Sequence, residues 1–270
     1  TPFPHGSLLI LREQGFGDFL FASRFLPAAK KLGGRVVVTC RRELIPLFKH
    51  VEGIGELFEE PHPRPPSMEV PKTEFICPLM DLPGLFNASF ERMTPPLALS
   101  VPADARARVA PLLERCGRRL KVGIVWSGSV TFRGNAKRSV RLERFLDLAN
   151  APGVQLISLQ KGPRRSELEE SGASPAVLDA APYLDDFADT AALVQGLDLV
   201  IMTDSAVAHL AGTLGVPVWN LLPFLPYWLY GPEGDETPWY PSMRLFRQPS
   251  PGDWDSVFAE VRRNLHTLAR

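Results

Sequence analysis

Apolar residues in the second half of the chain follow a strand–helix–strand pattern. Every position over 199–202 is apolar, which is typical of a parallel strand covered on both faces. A helix over 206–214 with Gly215 as its stop, and a strand over 216–222, are predicted to follow. Ligands bind at the carboxyl ends of such strands, and the first helical turn has free N–H groups. The unit therefore predicts a site for a phosphorylated ligand, with a purely structural unit as the alternative.

The first half of the chain begins with a similar unit and continues with shorter elements. The pattern predicts strands over 7–11 and 35–40 around a helix over 18–32 with apolar residues at helical spacing. Proline predicts a loop over 61–71 and irregular structure over 82–102. The remaining predicted elements are a short helix over 43–50, strands over 55–58 and 73–77, and a helix over 103–116.

The second half alternates strands and helices, which favours a parallel sheet. Strands are predicted over 121–126 and 154–160, with helices over 142–149, 190–197 and 254–268. The chain is thus predicted to be α/β, with two Rossmann-like domains whose parallel sheets face a cleft. The predicted divisions are a first domain over 1–117, a second domain over 118–252, and a C-terminal helix over 253–270.

Composition narrows the class of protein. The chain has 270 residues, of which 45% are hydrophobic and 22% charged, as in ordinary globular domains. Thirty basic residues balance thirty acidic ones, which gives no reason to expect nucleic acid or an anionic membrane as a partner. Three widely spaced cysteines disfavour a disulfide framework and favour the cytoplasm. No run has membrane-spanning length, and the start without Met predicts a piece of a longer polypeptide.

Common cofactor motifs are not matched. Gly15 and Gly17 follow the first strand, but Leu20 replaces the third glycine of GxGxxG, and no acidic residue ends the second strand. The chain also has no GxxxxGK[ST] motif and no HExxH motif, and its histidines show no metal-ligand spacing. A dinucleotide dehydrogenase is disfavoured, and neither a cofactor nor a metal is expected.

Several segments in order resemble one family. They are LREQGFGDFLFASRFLPAAKKLGGRVVV, CPLMDLP, VGIVWSGS, KRSVRLERFLDL, GVQLISLQKGP, DDFADTAALVQGLDLVIMTDSAVAHLAGTLGVPVW and PWYPSMRLFRQPSPGDWDSVFAEV. Together they resemble bacterial glycosyltransferases of the heptosyltransferase-like group, especially the domains found after tetratricopeptide repeats. The resemblance implies a GT-B fold and no required metal. It makes residues 1–117 the Rossmann-like acceptor-side domain and residues 118–252 the Rossmann-like nucleotide-sugar-binding domain, and it implies that the C-terminal helix over 253–270 crosses back toward the N-terminal domain.

On the acceptor side, the resemblance makes Asp18 the catalytic base that removes the proton of the acceptor hydroxyl. Gly15 and Gly17 would let a ligand approach the backbone. The alternative for Asp18 is a structural role as the cap of its helix.

On the donor side, the backbone around Ser205 and Ala206 would receive a phosphate, while Asp204 would bind sugar hydroxyls or cap the helix. In the family interpretation His209 faces the diphosphate; the alternative is a structural histidine. The other expected donor-binding residues are Lys137 and Arg138 as phosphate-binding cations, Ser127 and Gly128 at one strand end, and Gln160 at the next. Aromatic residues over 224–228 and 239–240 are predicted to pack in the core or between domains, or to form a ligand platform.

These features predict a cytoplasmic glycosyltransferase that moves a sugar from a nucleotide-sugar donor to a hydroxyl of an acceptor protein or glycan. The resemblance implies inversion at the anomeric carbon and an attached tetratricopeptide-repeat region. A nucleotide-sugar epimerase or hydrolase of similar fold is one alternative, and a catalytically silent nucleotide-sugar-binding module is another.

Overall fold

The computed structural model describes residues 2–89, 91–173 and 175–269. These residues form two sheets, with strand orders β3-β2-β1-β4 and β10-β9-β8-β5-β6-β7. The strands are β1 (Ser7–Leu11), β2 (Arg35–Cys40), β3 (Glu56–Glu59) and β4 (Phe75–Pro78) in the first sheet, and β5 (Leu120–Val125), β6 (Val154–Ser158), β7 (Val177–Asp179), β8 (Leu199–Thr203), β9 (Val218–Leu222) and β10 (Met243–Arg247) in the second. Every paired strand is parallel, which confirms the predicted α/β class.

The helices lie in most of the connections between successive strands, and α11 follows the last strand. They are α1 (Phe16–Ala22), α2 (Leu26–Lys31), α3 (Ile45–Phe48), α4 (Leu82–Leu85), α5 (Ala103–Glu114), α6 (Asn135–Arg138), α7 (Leu142–Leu146), α8 (Ser166–Glu170), α9 (Phe187–Gln195), α10 (Ala206–Thr213) and α11 (Trp254–Leu268). Within the part of the chain that the structure describes, no helix is long and apolar enough to span a bilayer.

Several local predictions differ from the structure, and one of the differences is α4, which lies in the segment 82–102 that was predicted to be irregular. The helix predicted over 18–32 is divided into α1 and α2 by a 3-10 turn, Ser23–Phe25. Pro27 lies in the first turn of α2, where its missing N–H does not interrupt a helix. Strands β7 and β10 were not predicted, and both lie at the edges of the second sheet.

Two apolar clusters form the core. One face of the second sheet packs with α7 and α11, through Val122, Ile201 and Phe258 among others. The opposite face joins the first domain in one continuous cluster that includes Ile10 of β1 and Met202 of β8. The two domains therefore share a hydrophobic core instead of meeting only at a polar cleft.

The predicted return of the C-terminal helix to the first domain needs correction. The buried face of α11, including Val257 and Phe258, packs in the cluster of the second sheet. Its polar side also pairs with that domain, since Glu260 and Asn264 bind Arg244 of β10. This amphipathic helix covers the apolar sheet face behind it.

Helix α5 shows that packing does not stop at the predicted boundary after residue 117. The helix lies in the segment predicted as the first domain, but it packs against α9 of the second. Arg108 of α5 binds the buried carboxylate of Asp189 in α9. The segment thus attaches the first domain to the second.

Candidate functional site

Two strand–helix turns, one from each domain, meet where α1 packs against α10. Gly17 makes this contact possible. A Cβ atom at Gly17 would lie 2.8 Å from Cδ2 of His209 and 3.5 Å from Cα of Ala206. The absent side chain of Gly17 thus leaves room for the ring of His209 on the opposing helix.

Asp18 lies half-buried at this junction and uses both carboxylate oxygens. Its Oδ2 accepts the N–H of Gly15 at 2.9 Å, and its Oδ1 accepts the hydroxyl of Tyr227, from the second domain, at 3.3 Å. The predicted capping contact is thus present. Because each carboxylate oxygen has two lone pairs, capping leaves Asp18 able to accept a proton.

Asp204 is a buried anion held by two side chains. Its Oδ2 accepts from Arg138 at 3.1 Å and its Oδ1 from the hydroxyl of Tyr230 at 3.0 Å. The possibility that Asp204 caps α10 is not realised, because the N-cap residue is Ser205, whose side chain makes no capping hydrogen bond. Asp204 instead fixes the guanidinium of Arg138 beside the start of α10.

Arg138 is enclosed on three sides. Its guanidinium lies 4.5 Å from the ring centroid of Phe132 and pairs with Asp204. A Cβ at Gly128 would lie 2.8 Å from a terminal nitrogen of Arg138, so Gly128 permits this close approach. The neighbouring cation, Lys137, is exposed to solvent. Of the two predicted cations, only Arg138 is built into the junction.

Several buried polar atoms around Arg138 have no hydrogen-bond partner within residues 2–89, 91–173 and 175–269. They are Nε of Arg138, Oδ1 of Asn135, Oγ1 of Thr203 and Oγ of Ser205. Burying such atoms unpaired costs about 1–3 kcal/mol each. Their concentration at the carboxyl edge of the second sheet fits a polar ligand that would satisfy them.

The side chains of Ser127 and Gln160 are hydrogen-bonded within the chain. The amide of Gln160 accepts the backbone N–H groups of Trp126 and Ser127 and donates to the carbonyls of Ser127 and Lys161. The hydroxyl of Ser127 binds Ser139 and receives a hydrogen bond from Asn135. Both side chains are therefore occupied in fixing the ends of β5 and β6.

His209 is buried, and its Nδ1 lies 3.1 Å from the hydroxyl of Tyr240. Burial lowers the pKa of His209, and the negative charges of Asp204 and Asp18 only partly oppose this shift. The imidazole is consequently neutral near pH 7.

Comparisons with known proteins assign the fold. No protein-family profile matches the chain. Protein FlbA of Caulobacter vibrioides is 28% identical over 288 residues, which cover 97% of this chain and 46% of FlbA. The chain thus spans about half the length of this curated relative.

Solved structures match over nearly the whole chain. A glycosyltransferase family 9 structure from Veillonella parvula DSM 2008 matches with a TM-score of 0.65 at 12% sequence identity. The match covers 100% of this chain and 95% of the chain of that structure. The ADP-heptose LPS heptosyltransferase II of E. coli has a TM-score of 0.65 at 12% identity, with coverages of 98% and 100%. The chain has the GT-B fold. This fold, with its two parallel-sheet domains, confirms the predicted fold class.

The sequence interpretation missed the residues that join the two turns. Tyr227 and Tyr230 bind the two aspartates, and Tyr240 binds His209. The aromatic composition of their segments was the available signal, but their hydroxyl partners are remote in sequence. Trp239 and Tyr240 are buried against Arg24 of the first domain, which confirms the interdomain packing proposed for them.

Proposed function

We propose that the chain is a glycosyltransferase that moves a sugar from a nucleotide-sugar donor to an acceptor hydroxyl. The observation that carries this proposal is the junction itself. The second domain contributes the start of α10, the adjacent guanidinium of Arg138 and several unsatisfied polar atoms. These groups face the half-buried carboxylate of Asp18 in the first domain. The GT-B fold and the glycosyltransferases among its structural neighbours support the assignment.

The donor diphosphate would bind at the start of α10, where N–H groups of the first turn lack intrahelical partners. A guanidinium has five N–H donors, so the pairing of Arg138 with Asp204 leaves others for phosphate oxygens. Ser205 and Ala206 supply the helix start, and Gly128 lets Arg138 lie against the strand end. These groups would stabilise the negative charge that develops on the departing diphosphate.

Asp18 would accept the proton of the acceptor hydroxyl as its oxygen attacks the anomeric carbon. The oxygen attacks opposite the leaving diphosphate, so a single displacement inverts the configuration. We propose that no metal is required, because Arg138 and the helix start supply the positive potential. Determining the anomeric configuration of the product, and assaying transfer in a chelator, test these two points.

We further propose that the full polypeptide acts in the cytoplasm and carries a tetratricopeptide-repeat region, as the resemblance implies. The acceptor is proposed to be a protein or a glycan. A nucleotide-sugar epimerase or hydrolase would give products without an acceptor, so product analysis distinguishes it from a transferase. A silent binding module would bind donor without turnover.

Calorimetric titration with UDP-, GDP-, ADP- and CMP-sugars tests the donor site. We expect one nucleotide class to bind selectively, and Arg138→Ala and His209→Ala to weaken its binding at least tenfold, about 1.4 kcal/mol. Arg118→Ala removes an exposed arginine and serves as the matched control. Absence of binding by the folded protein, or unchanged affinity in both variants, would contradict the proposed site.

A further inference from the structure

Arg24 is a buried cation that crosses from the first domain into the second. It lies in the 3-10 turn between α1 and α2 and is 2% exposed. Its Nε donates to the carbonyl of Phe21, and one terminal nitrogen donates to the carbonyls of Thr94 and Trp239 at 3.1 and 3.0 Å. The guanidinium carbon is 4.8 Å from the ring centroid of Tyr240. Arg24 is therefore fixed by both domains, outside the diphosphate site proposed above.

Tyr240 connects this cation to His209. The ring of Tyr240 is fully buried and packs against α10, where a Cβ at Gly212 would lie 2.6 Å from its Cγ. Its hydroxyl is 3.1 Å from Nδ1 of His209. One buried phenol thus touches both the guanidinium of the first domain and the imidazole of the second.

This arrangement distinguishes the two tautomers of a neutral imidazole. The positive charge of Arg24 polarises the phenol and strengthens it as a hydrogen-bond donor. A phenol that donates to Nδ1 requires Nδ1 to be unprotonated, which leaves the proton on Nε2. Nε2 is on the α1 side of the ring, 3.4 Å from the position of a Cβ at Gly17.

The charges around His209 keep its ring neutral. Burial lowers the pKa of His209, Arg24 and Arg138 lower it further, and Asp204 and Asp18 act in the opposite direction. Tyr230 faces the ring as well, with its centroid 6.3 Å away. A neutral ring with a fixed tautomer presents one defined donor toward α1.

We propose that Arg24 and Tyr240 are positioning residues that hold His209 as the Nε2–H tautomer, so that its α1-facing nitrogen donates a hydrogen bond to the departing diphosphate. This role rests on the proposed function. It also makes the tautomer of His209 depend on contact between the domains, since the cation belongs to one and the imidazole to the other.

Nitrogen NMR of imidazole-labelled protein tests the tautomer directly. The chain has five histidines, and His209→Gln identifies the signals of His209. We expect Nε2 to carry the proton in the wild type, and Tyr240→Phe to produce a mixture of tautomers. Arg24→Met should also produce a mixture of His209 tautomers, and it should raise the pKa of His209. Arg24→Lys keeps the positive charge and should therefore keep the wild-type tautomer. Tyr183 lies outside the junction, so Tyr183→Phe is the control and should leave the nitrogen shifts of His209 unchanged.

A proton on Nδ1 in the wild type, or unchanged nitrogen shifts in folded Tyr240→Phe, would overturn the proposal. With donor and acceptor present, Tyr240→Phe should lower kcat about tenfold, the effect of a weakened hydrogen bond to a charged group. A fall in kcat without a change in the tautomer of His209 would show that Arg24 and Tyr240 only maintain the packing of the junction, and it would overturn the proposal too. If the wild type neither binds donor nor transfers sugar, the proposed function fails, while the NMR result still decides the tautomer.

Discussion

His209 is a neutral histidine buried where two aspartates, two arginines and two tyrosines surround it. Its pKa in the folded chain is lowered from an ordinary value of 6.5, so below that pH the unfolded chain binds more protons than the folded one. Stability is therefore expected to decrease as the pH falls through 6.5, by at most about 1.4 kcal/mol per pH unit from this residue. Urea unfolding of the wild type between pH 5 and 8 measures the slope.

His209→Gln provides the reference for this pH dependence, because it removes the buried titration and leaves the other histidines. Those four, His5, His50, His62 and His266, are exposed. We expect the difference in stability between wild type and variant to become smaller toward acid pH. A constant difference across the range would show that His209 titrates equally in both states.

Asp18 makes a capping contact and is the proposed base, and one substitution separates these roles. An asparagine side chain at this position would retain an oxygen for the N–H of Gly15 but would have no basic carboxylate. We expect Asp18→Asn to lower the transfer rate about 10²–10⁴-fold, the range for loss of a general base, with donor affinity retained. Steady-state transfer assays and calorimetry measure the two quantities.

Asp104→Asn is the matched control for this substitution, since Asp104 is an exposed acid in the first turn of α5. It should transfer sugar at the wild-type rate. Full activity in Asp18→Asn would remove Asp18 from catalysis and leave it only as a cap.

At the level of elements, the contact between α1 and α10 depends on Gly17. A methyl group there would lie 2.8 Å from Cδ2 of His209, closer than carbon atoms approach, so the ring of His209 or the two helices must shift. We expect Gly17→Ala to destabilise the fold by about 1–3 kcal/mol, the usual cost of overpacking. Donor affinity should fall as well, because His209 moves with α10.

Gly84→Ala tests whether this loss is specific to the junction. Gly84 lies in α4, and a Cβ there meets no atom within 4 Å. Thermal unfolding should show little change or a small gain for Gly84→Ala, since alanine favours helix. Equal losses in the two variants would mean that the close approach at Gly17 has no special cost.

Helix α11 is a second element whose packing makes a clear prediction. Phe258 is fully buried in the cluster of the second sheet and lies 5.1 Å from Phe145, centroid to centroid. Phe258→Ala should lower the free energy of unfolding by about 3–5 kcal/mol. Leu268→Ala, on the exposed end of the same helix, should stay within about 0.5 kcal/mol of wild type in the same denaturant titration. Similar losses in both variants would contradict the assigned packing of α11.

At the scale of the molecule, the shared core links the stability of the domains. The first sheet and one face of the second belong to one apolar cluster, and Arg24 is hydrogen-bonded within both domains. We expect one cooperative unfolding transition. All five tryptophans lie at or beyond Trp126, so their fluorescence monitors the second domain, while circular dichroism monitors the whole chain.

Coincident midpoints from the two probes, and a single calorimetric peak, would agree with the shared core. Two transitions separated by several degrees would show instead that the domains unfold independently. The same two probes are applied to Arg24→Ala as a second test. Loss of the bridging cation is expected to separate the fluorescence midpoint from the circular dichroism midpoint.

The elements near the site could be predicted from sequence because their signals are local. An all-apolar run identified β8, and the glycine after α10 marked the end of that helix. The edge strands β7 and β10 were missed, and the packing of α11 was predicted wrongly, because which sheet face a helix covers is not a local property.

The sequence by itself determined the two parallel-sheet domains and the two turns that carry Asp18 and His209, since hydrophobic period, caps and glycines act over a few residues. Tertiary structure alone decided the partners of those turns. Tyr227 reaches Asp18 across 209 positions and Arg24 reaches Trp239 across 215. Such pairs form only when the shared core brings the domains together, because burial of the common apolar surface, not any local preference, sets which side chains meet.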